Sequence, residues 1–229
     1  MNRYRAGAVA WMASAVLFPV QLLVALRWPQ GYSMTDNAIS DLGVTICGQF
    51  SEQGKQVRDV CSPWHPLFNA GMVASGVLIM IGAVLLHGWW DSRAGRAGTI
   101  LMALTGLLVA IVGLAPWDTH PDVHDGAALG QAVAQWLAMG LLAMVAGPGH
   151  FRRLTIVALV VSLVGFAAFV AALEGTEVPW LGFGGTERLS FDILSIWTVL
   201  VGATLLMGRG LRDQAPTPAE RPSVRTRGT

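Results

Sequence analysis

The sequence predicts an all-α polytopic membrane protein, a six-transmembrane-helix bundle with both termini cytoplasmic. Hydrophobic residues make up 53% of the 229 residues and charged residues only 13%, against about 25% charged residues in soluble domains. A bilayer core of about 30 Å requires about 20 mostly apolar helical residues. The segments that meet this requirement are residues 7–26, 67–86, 99–115, 127–146, 154–173 and 189–207.

The first segment begins like a signal peptide, because Arg3 and Arg5 precede its apolar run. That run is longer than the apolar region of a signal peptide, and it ends at Leu26 without the small residues of a cleavage site. We therefore expect the first helix to be retained. Residues 1–208 then form one predicted transmembrane domain, and residues 209–229, basic and rich in Pro, Ser and Thr, form a predicted disordered cytoplasmic tail.

The distribution of basic residues predicts the orientation of the helices, because the side with more Lys and Arg usually faces the cytoplasm. One side has eleven arginines, namely Arg3, Arg5, Arg93, Arg96, Arg152, Arg153, Arg209, Arg212, Arg221, Arg225 and Arg227. The opposite side has four basic residues, namely Arg27, Lys55, Arg58 and Arg188. We expect both termini to lie inside a bacterial cytoplasmic membrane, with external loops at residues 27–66, 116–126 and 174–188.

The two cysteines, Cys47 and Cys61, lie in the long external loop. Because the space outside a bacterial cytoplasmic membrane is oxidising, a disulfide between them is the favoured interpretation. The alternative, a thiolate metal site, is weaker because no second cysteine pair completes a four-ligand set.

Residues 117–125 form a polar stretch between two apolar segments, with three carboxylates and two histidines. Thr119 is the predicted N-cap of the fourth helix, with Pro121 in its first turn. His120 and His124 are four residues apart, the spacing at which helical zinc motifs place two imidazoles on one face. The general-base Glu of those motifs is replaced by Pro121. The alternative is that both histidines only form hydrogen bonds with neighbouring loops.

Two further candidate metal ligands lie on the same predicted side, Asp41 in the first loop and His65 at the start of the second helix. Asp192 is an ionisable residue within the predicted sixth helix, a position that usually has a functional role. The alternative for Asp192 is a structural ion pair with Arg188, one turn before it. The sequence leaves both interpretations of Asp192 open.

Several separated motifs carry a family resemblance. They are Asn37-x-x-Ser40-Asp41-Leu42-Gly43, Ser62-Pro63 with Asn69, Asp118-x-His120-Pro121-x-x-His124, and Glu187-Arg188. Together they resemble a family of bacterial and archaeal six-helix membrane proteins catalogued as a domain of unknown function, number nine hundred and ninety-eight. The resemblance extends to about Gly208 and implies a fold without an established activity.

Two remoter resemblances concern the same external residues. The segment Ile39-Ser40-Asp41-Leu42-Gly43 is similar to a loop of the eukaryotic autophagy-modulator family, which also has six helices. The alkaline ceramidase and adiponectin-receptor superfamily uses Ser, Asp and three His around zinc, in a seven-helix bundle, to hydrolyse lipid amides. Residues of the same types here are Ser40, Asp41, His65, His120 and His124, but they belong to a predicted six-helix chain and lie at junctions between loops and helices.

Two hypotheses of function follow. In the first, a divalent metal such as zinc is held by His120 and His124 with Asp41 or His65, and activates water against a membrane lipid. The candidate catalytic residues of this hydrolase are Ser40, Asp41, Asp118, Glu187 and Arg188. In the second, the same residues form a structural polar cluster in a non-catalytic protein that binds lipid or senses the envelope. Membrane lipids are the expected partners in both, and the net charge of +1 gives no support to nucleic-acid binding.

Overall fold

The computed structural model describes residues 2–52 and 54–207, so the predicted tail at residues 209–229 lies outside the described residues. The described chain contains six helices that are long and apolar enough to cross a membrane, which confirms the predicted fold class. Their bounds are Arg3–Ala25, His65–Trp89, Arg93–Leu114, Pro121–Val145, His150–Leu173 and Gly182–Leu206.

Most of these helices begin before the predicted apolar segments. The sixth helix begins at Gly182, so Glu187 and Arg188, which we expected in a loop, lie within its first two turns. The fourth helix begins at Pro121 with His120 as its N-cap, and the prediction of Thr119 as the N-cap is wrong. The hydroxyl of Thr119 donates instead to the Pro116 carbonyl, at 3.1 Å. Hydropathy underestimates helix length here because polar residues occupy the first turns.

Glycines set the closest approach between the helices. A Cβ atom on Gly76 of the second helix would lie 2.5 Å from the Gly106 carbonyl oxygen of the third, so only glycine fits at this crossing. A Cβ on Gly71 would lie 2.8 Å from a methyl group of Val20, so this glycine also allows close packing. At Gly126, by contrast, no atom lies within 4 Å of the position that a Cβ would take. Close backbone packing in lipid depends on such small residues.

Polar side chains inside the bundle form hydrogen bonds between helices. Trp11 donates to the Ile79 carbonyl at 3.0 Å, and Trp197 donates to the Thr155 hydroxyl at 3.0 Å. The Ser162 hydroxyl donates to the Ser190 carbonyl at 2.8 Å. These bonds connect the first helix to the second and the fifth to the sixth, in a region that offers no water as an alternative partner.

The first loop, residues 26–64, has structure of its own. It contains a 3₁₀ turn, Ser40–Gly43, and an antiparallel hairpin of strands β1 (Gly48–Glu52) and β2 (Lys55–Val60). The sequence did not predict this hairpin. Cys47 and Cys61 form the predicted disulfide at its base. The first loop and the connections at residues 115–120 and 174–181 share one end of the bundle, which we name the loop end.

Candidate functional site

The most buried charged group of the loop end is the carboxylate of Asp41, which has no exposed surface (0%). Both of its oxygens accept a hydrogen bond from Arg58, each at 2.7 Å, and one also accepts from the Ala38 backbone N–H at 2.9 Å. The guanidinium group of Arg58 lies 4.8 Å from the ring centre of Phe183. In a bidentate ion pair of this kind, each charged group compensates the other where water is excluded.

Arg58 was not among the predicted site residues. It reaches Asp41 because side chains alternate along β2: Arg58 and Val60 are buried, whereas Val57 and Asp59 are exposed. The alternation is one of burial and not of residue type, because the apolar Val57 is exposed and the charged Arg58 is buried, so the residue pattern does not reveal it. The sequence predicts only a polar loop for residues 55–60, so Arg58 enters the prediction only as one of the basic residues that set the orientation of the helices.

Arg188 ties the sixth helix to the first loop. It donates to the carbonyls of Asn37 and Gly184, each at 3.0 Å, and to the Tyr32 hydroxyl. The predicted alternative of an ion pair with Asp192 is wrong, because the Asp192 carboxylate accepts instead from the Gln21 side-chain amide at 3.1 Å.

Glu187 and Asp118 also hold the first loop. Glu187 accepts a hydrogen bond from the Ile39 backbone N–H and is only 8% exposed. Asp118 accepts from both the backbone N–H and the hydroxyl of Thr45, at 2.9 and 2.6 Å. The motif residues Asp41, Asp118, Glu187 and Arg188 are therefore brought to one end of the fold. Asp41 holds the first loop together internally, Asp118 binds that loop to the connection before the fourth helix, and Glu187 and Arg188 bind it to the sixth helix.

The three histidines of the loop end lie apart from one another in their contacts. His120 is exposed beside the Thr119 hydroxyl, and His65 contacts the Ser62 carbonyl, each at 2.9 Å. His124 is buried, and its Nδ1 lies 2.9 Å from the Ala115 carbonyl. Within residues 2–52 and 54–207, no group of three or more His, Cys, Asp or Glu side chains is arranged to hold a metal ion.

Two adjoining cavities lie beneath the first loop. The inner cavity, of about 60 Å³, is lined by polar side chains, namely Gln21, Ser40, His124, Gln131, Glu187, Asp192 and Ser195, together with apolar ones. The outer cavity, of about 250 Å³, has an aromatic wall of Trp117, Phe166, Phe169, Phe183 and Phe191. Ser40, His124 and Glu187 line both cavities, so we name the pair the joined cavity.

The joined cavity includes three of the predicted site residues and several that sequence reasoning missed. Ser40, His124 and Glu187 line it, whereas Asp41, Asp118, Arg188, His65 and His120 do not. Gln21 and Gln131 were missed, although amides within apolar helices are a recognised signal of an internal site. The fifth helix also contributes to the cavity, because Phe166, Phe169 and Leu173 form part of the outer wall.

Six apolar helices around an internal, partly polar cavity define a multi-pass helical membrane protein. The chain belongs to the family described as Protein of unknown function (DUF998), whose family model matches residues 12–204. The resemblance inferred from the separated motifs is thereby confirmed. No curated protein and no solved structure matches the chain.

Proposed function

We propose that this protein binds a membrane lipid, or another amphiphile, in the joined cavity. The observation that carries the proposal is that two adjoining cavities share five lining residues, and that the inner one has most of the polar side chains and the outer one most of the aromatic side chains. The head group would lie beside Ser40, His124 and Glu187, and the hydrocarbon chain along Phe166 and Phe169.

The two parts of the cavity favour the two parts of an amphiphile for separate physical reasons. Glu187 and His124 are each 8% exposed, and each has a hydrogen bond within the chain, to Ile39 and to Ala115, which leaves further hydrogen-bonding capacity for a head group. The outer wall offers aromatic and aliphatic surface, which is stabilised by contact with a chain that needs no hydrogen bonds. A small polar metabolite would match only the inner part.

The outer cavity also reaches the surface that would face lipid. Leu129 of the fourth helix lines the cavity and is 49% exposed, and Phe169 of the fifth helix forms the wall opposite. A hydrocarbon chain could therefore enter sideways between these helices, without crossing the first loop.

Binding of a fluorescent long-chain lipid to the protein in nanodiscs tests the proposal. Ala128 lines both cavities, so Ala128→Trp should fill the space and reduce binding at least several-fold. Leu137→Trp is the matched control, since Leu137 is on the same helix, exposed, and outside the cavity. Equal binding by both folded variants and the parent protein would refute the proposal.

The alternative is a zinc-dependent hydrolase that cleaves a lipid ester or amide. Ser40, His124 and Glu187 line one cavity, but the described residues do not supply a group of three metal ligands there. Metal analysis of the purified protein separates the two functions. Stoichiometric zinc that is lost in His124→Ala, together with lipid hydrolysis, would establish the hydrolase. Lipid binding by metal-free protein, without hydrolysis, would establish the binding function.

We also propose that the loop end faces the outside of a bacterial cytoplasmic membrane and that both termini are cytoplasmic. The excess of arginines on the other side supports this orientation. The disulfide between Cys47 and Cys61 supports it independently, because disulfides persist in oxidising compartments.

A further inference from the structure

We infer that the head group bound in the joined cavity is a cationic ammonium group, so that the ligand is a long-chain amine or a quaternary ammonium amphiphile. This inference rests on the proposed function and narrows its ligand class.

The first argument is the charge of the cavity wall. Its described lining residues include the carboxylates of Asp125, Glu187 and Asp192, and no Lys or Arg. Glu187 accepts from a backbone N–H and Asp192 from a neutral amide, so neither forms an ion pair within the described chain. Carboxylates within a membrane protein usually pair with a cation.

The nearby arginines attract these carboxylates only at longer range. Arg58 makes its two shortest bonds to Asp41, and Arg188 donates to the Tyr32 hydroxyl and to backbone carbonyls. Neither guanidinium group lines the joined cavity. Carboxylates therefore outnumber guanidinium groups around the cavity, and a positively charged ligand would compensate the excess negative charge.

A second and independent observation points to a polar ligand at the same place. The side chain of Gln131 lines the inner cavity and is only 7% exposed, yet no described residue forms a hydrogen bond with its amide. The amide atoms remain accessible from the cavity, and the carbonyl oxygen would accept from an ammonium N–H.

The aromatic wall fits the same class of ligand. Phe191 lines both cavities, and Trp117 and Phe183 line the outer one. Aromatic faces attract ammonium groups, including quaternary ones that cannot donate hydrogen bonds. The phosphate of a phospholipid would instead meet the carboxylates of the wall, a juxtaposition of like charges that opposes binding.

The test compares ligands that share one chain and differ in the head group. Wild-type protein in phosphatidylcholine nanodiscs is titrated calorimetrically with dodecyltrimethylammonium, dodecylamine, dodecanol and dodecanoate, and titrations of empty nanodiscs are subtracted. The two cationic probes should bind at least about tenfold more tightly than dodecanol, since a hydrogen bond or contact to a charged group is worth about this much. Dodecanoate should bind most weakly.

Variants of the cavity carboxylates test whether these groups cause the preference for cationic probes. Glu187→Gln should weaken binding of the cationic probes about tenfold or more, and should weaken binding of dodecanol by a clearly smaller factor. Asp192→Asn is the second variant, because an asparagine carbonyl can still accept from Gln21. Glu174→Gln is the control, because the Glu174 side chain is 74% exposed and outside the cavity.

The outcomes separate the inference from the function on which it rests. Equal affinities for dodecanol and the cationic probes, or tighter binding of dodecanoate, would overturn the ammonium preference and leave lipid binding in place. If no probe bound the wild-type protein above empty nanodiscs, the proposed function itself would fail.

Discussion

Asp41 and Arg58 show how a single residue pair can organise one end of a membrane protein. The pair is buried and two-pronged, and it joins the 3₁₀ turn to the hairpin within the first loop. Removing one partner of such a pair leaves an uncompensated charge, which costs more than the pair contributes when it is intact.

Asp41→Asn should therefore lower the free energy of unfolding by about 3 kcal/mol, because Arg58 would remain buried without its carboxylate. The measurement is equilibrium or thermal unfolding of the detergent-solubilised protein. Glu174→Gln, which breaks the exposed ion pair with Lys55, should change stability by less than about 1 kcal/mol. Comparable effects of the two changes would contradict the central role of Asp41.

The burial of Tyr32 predicts that the stability of the folded protein depends on pH in the alkaline range. Burial raises the pKa of its hydroxyl above the ordinary value of 10.0, and the nearby Arg188 opposes this shift only in part. The folded protein keeps this proton at a pH where the unfolded chain loses it, so the contribution to stability is present below pH 10.0 and declines as the pH rises further.

The chain has two tyrosines, so Tyr4→Phe leaves Tyr32 as the only phenol. Phenolate absorbance of this variant should stay low through pH 10.0 while the protein is folded, and rise on unfolding. Half-ionisation near that pH in the folded protein would show that the hydroxyl is not enclosed.

For single residues, the sequence identified the buried hydrogen-bond acceptors better than the side chains that donate to them. Asp41 and Glu187 were found because ionisable residues among apolar ones are conspicuous. Arg58 and Gln21 were missed, since their roles depend on the hairpin register and on which helices become neighbours. No local sequence pattern specifies the hairpin register or the choice of neighbouring helices.

The helices themselves could be predicted, because apolar length is a property of each segment alone. Their first turns could not be placed from hydropathy, and Glu187 and Arg188 were therefore expected in a loop. The hairpin was missed for a different reason: it contains exposed polar residues on both sides of a short turn, and the disulfide supports it.

The crossing of the second and third helices gives a prediction at the level of elements. Gly106→Ala would place a Cβ 2.5 Å from the Gly76 carbonyl oxygen and the Met80 nitrogen, so the helices must separate. We expect a loss of about 1–3 kcal/mol in stability.

Gly140→Ala is the matched control, because it is also a helical glycine in the bundle and no atom lies within 4 Å of the added Cβ. Thermal unfolding of both variants in one detergent is the measurement. A stable Gly106→Ala variant would show that this crossing tolerates a wider spacing than the structure has.

The two ends of the molecule differ in structure, and the orientation of the bundle decides which end faces the cytoplasm. At the end opposite the loop end, the Tyr4 hydroxyl donates to the Gly88 carbonyl at 2.8 Å. The number of helices follows from the sequence, but the joined cavity does not, because its lining comes from all six helices and forms only after they pack.

Cysteine labelling tests the orientation. Trp180→Cys adds a thiol to the loop end, where the parent residue is 76% exposed, and Asp91→Cys adds one at an exposed position of the opposite end. A membrane-impermeant maleimide applied to intact cells should label the first variant and spare the second until the cells are lysed. Cys47 and Cys61 should remain unlabelled because they are disulfide-bonded. The reverse pattern would invert the proposed topology.

The contacts of Glu187 and Arg188 also bear on the order in which the chain can mature. Both residues are translated late, yet their partners Ile39 and Asn37 are translated about 150 residues earlier, at separations of 148 and 151. The first loop must therefore remain without these contacts until the sixth helix has been inserted. A chain that stops after the fifth helix would expose the Ile39 N–H and the Asn37 carbonyl, which gives the cell a structural difference between unfinished and finished copies.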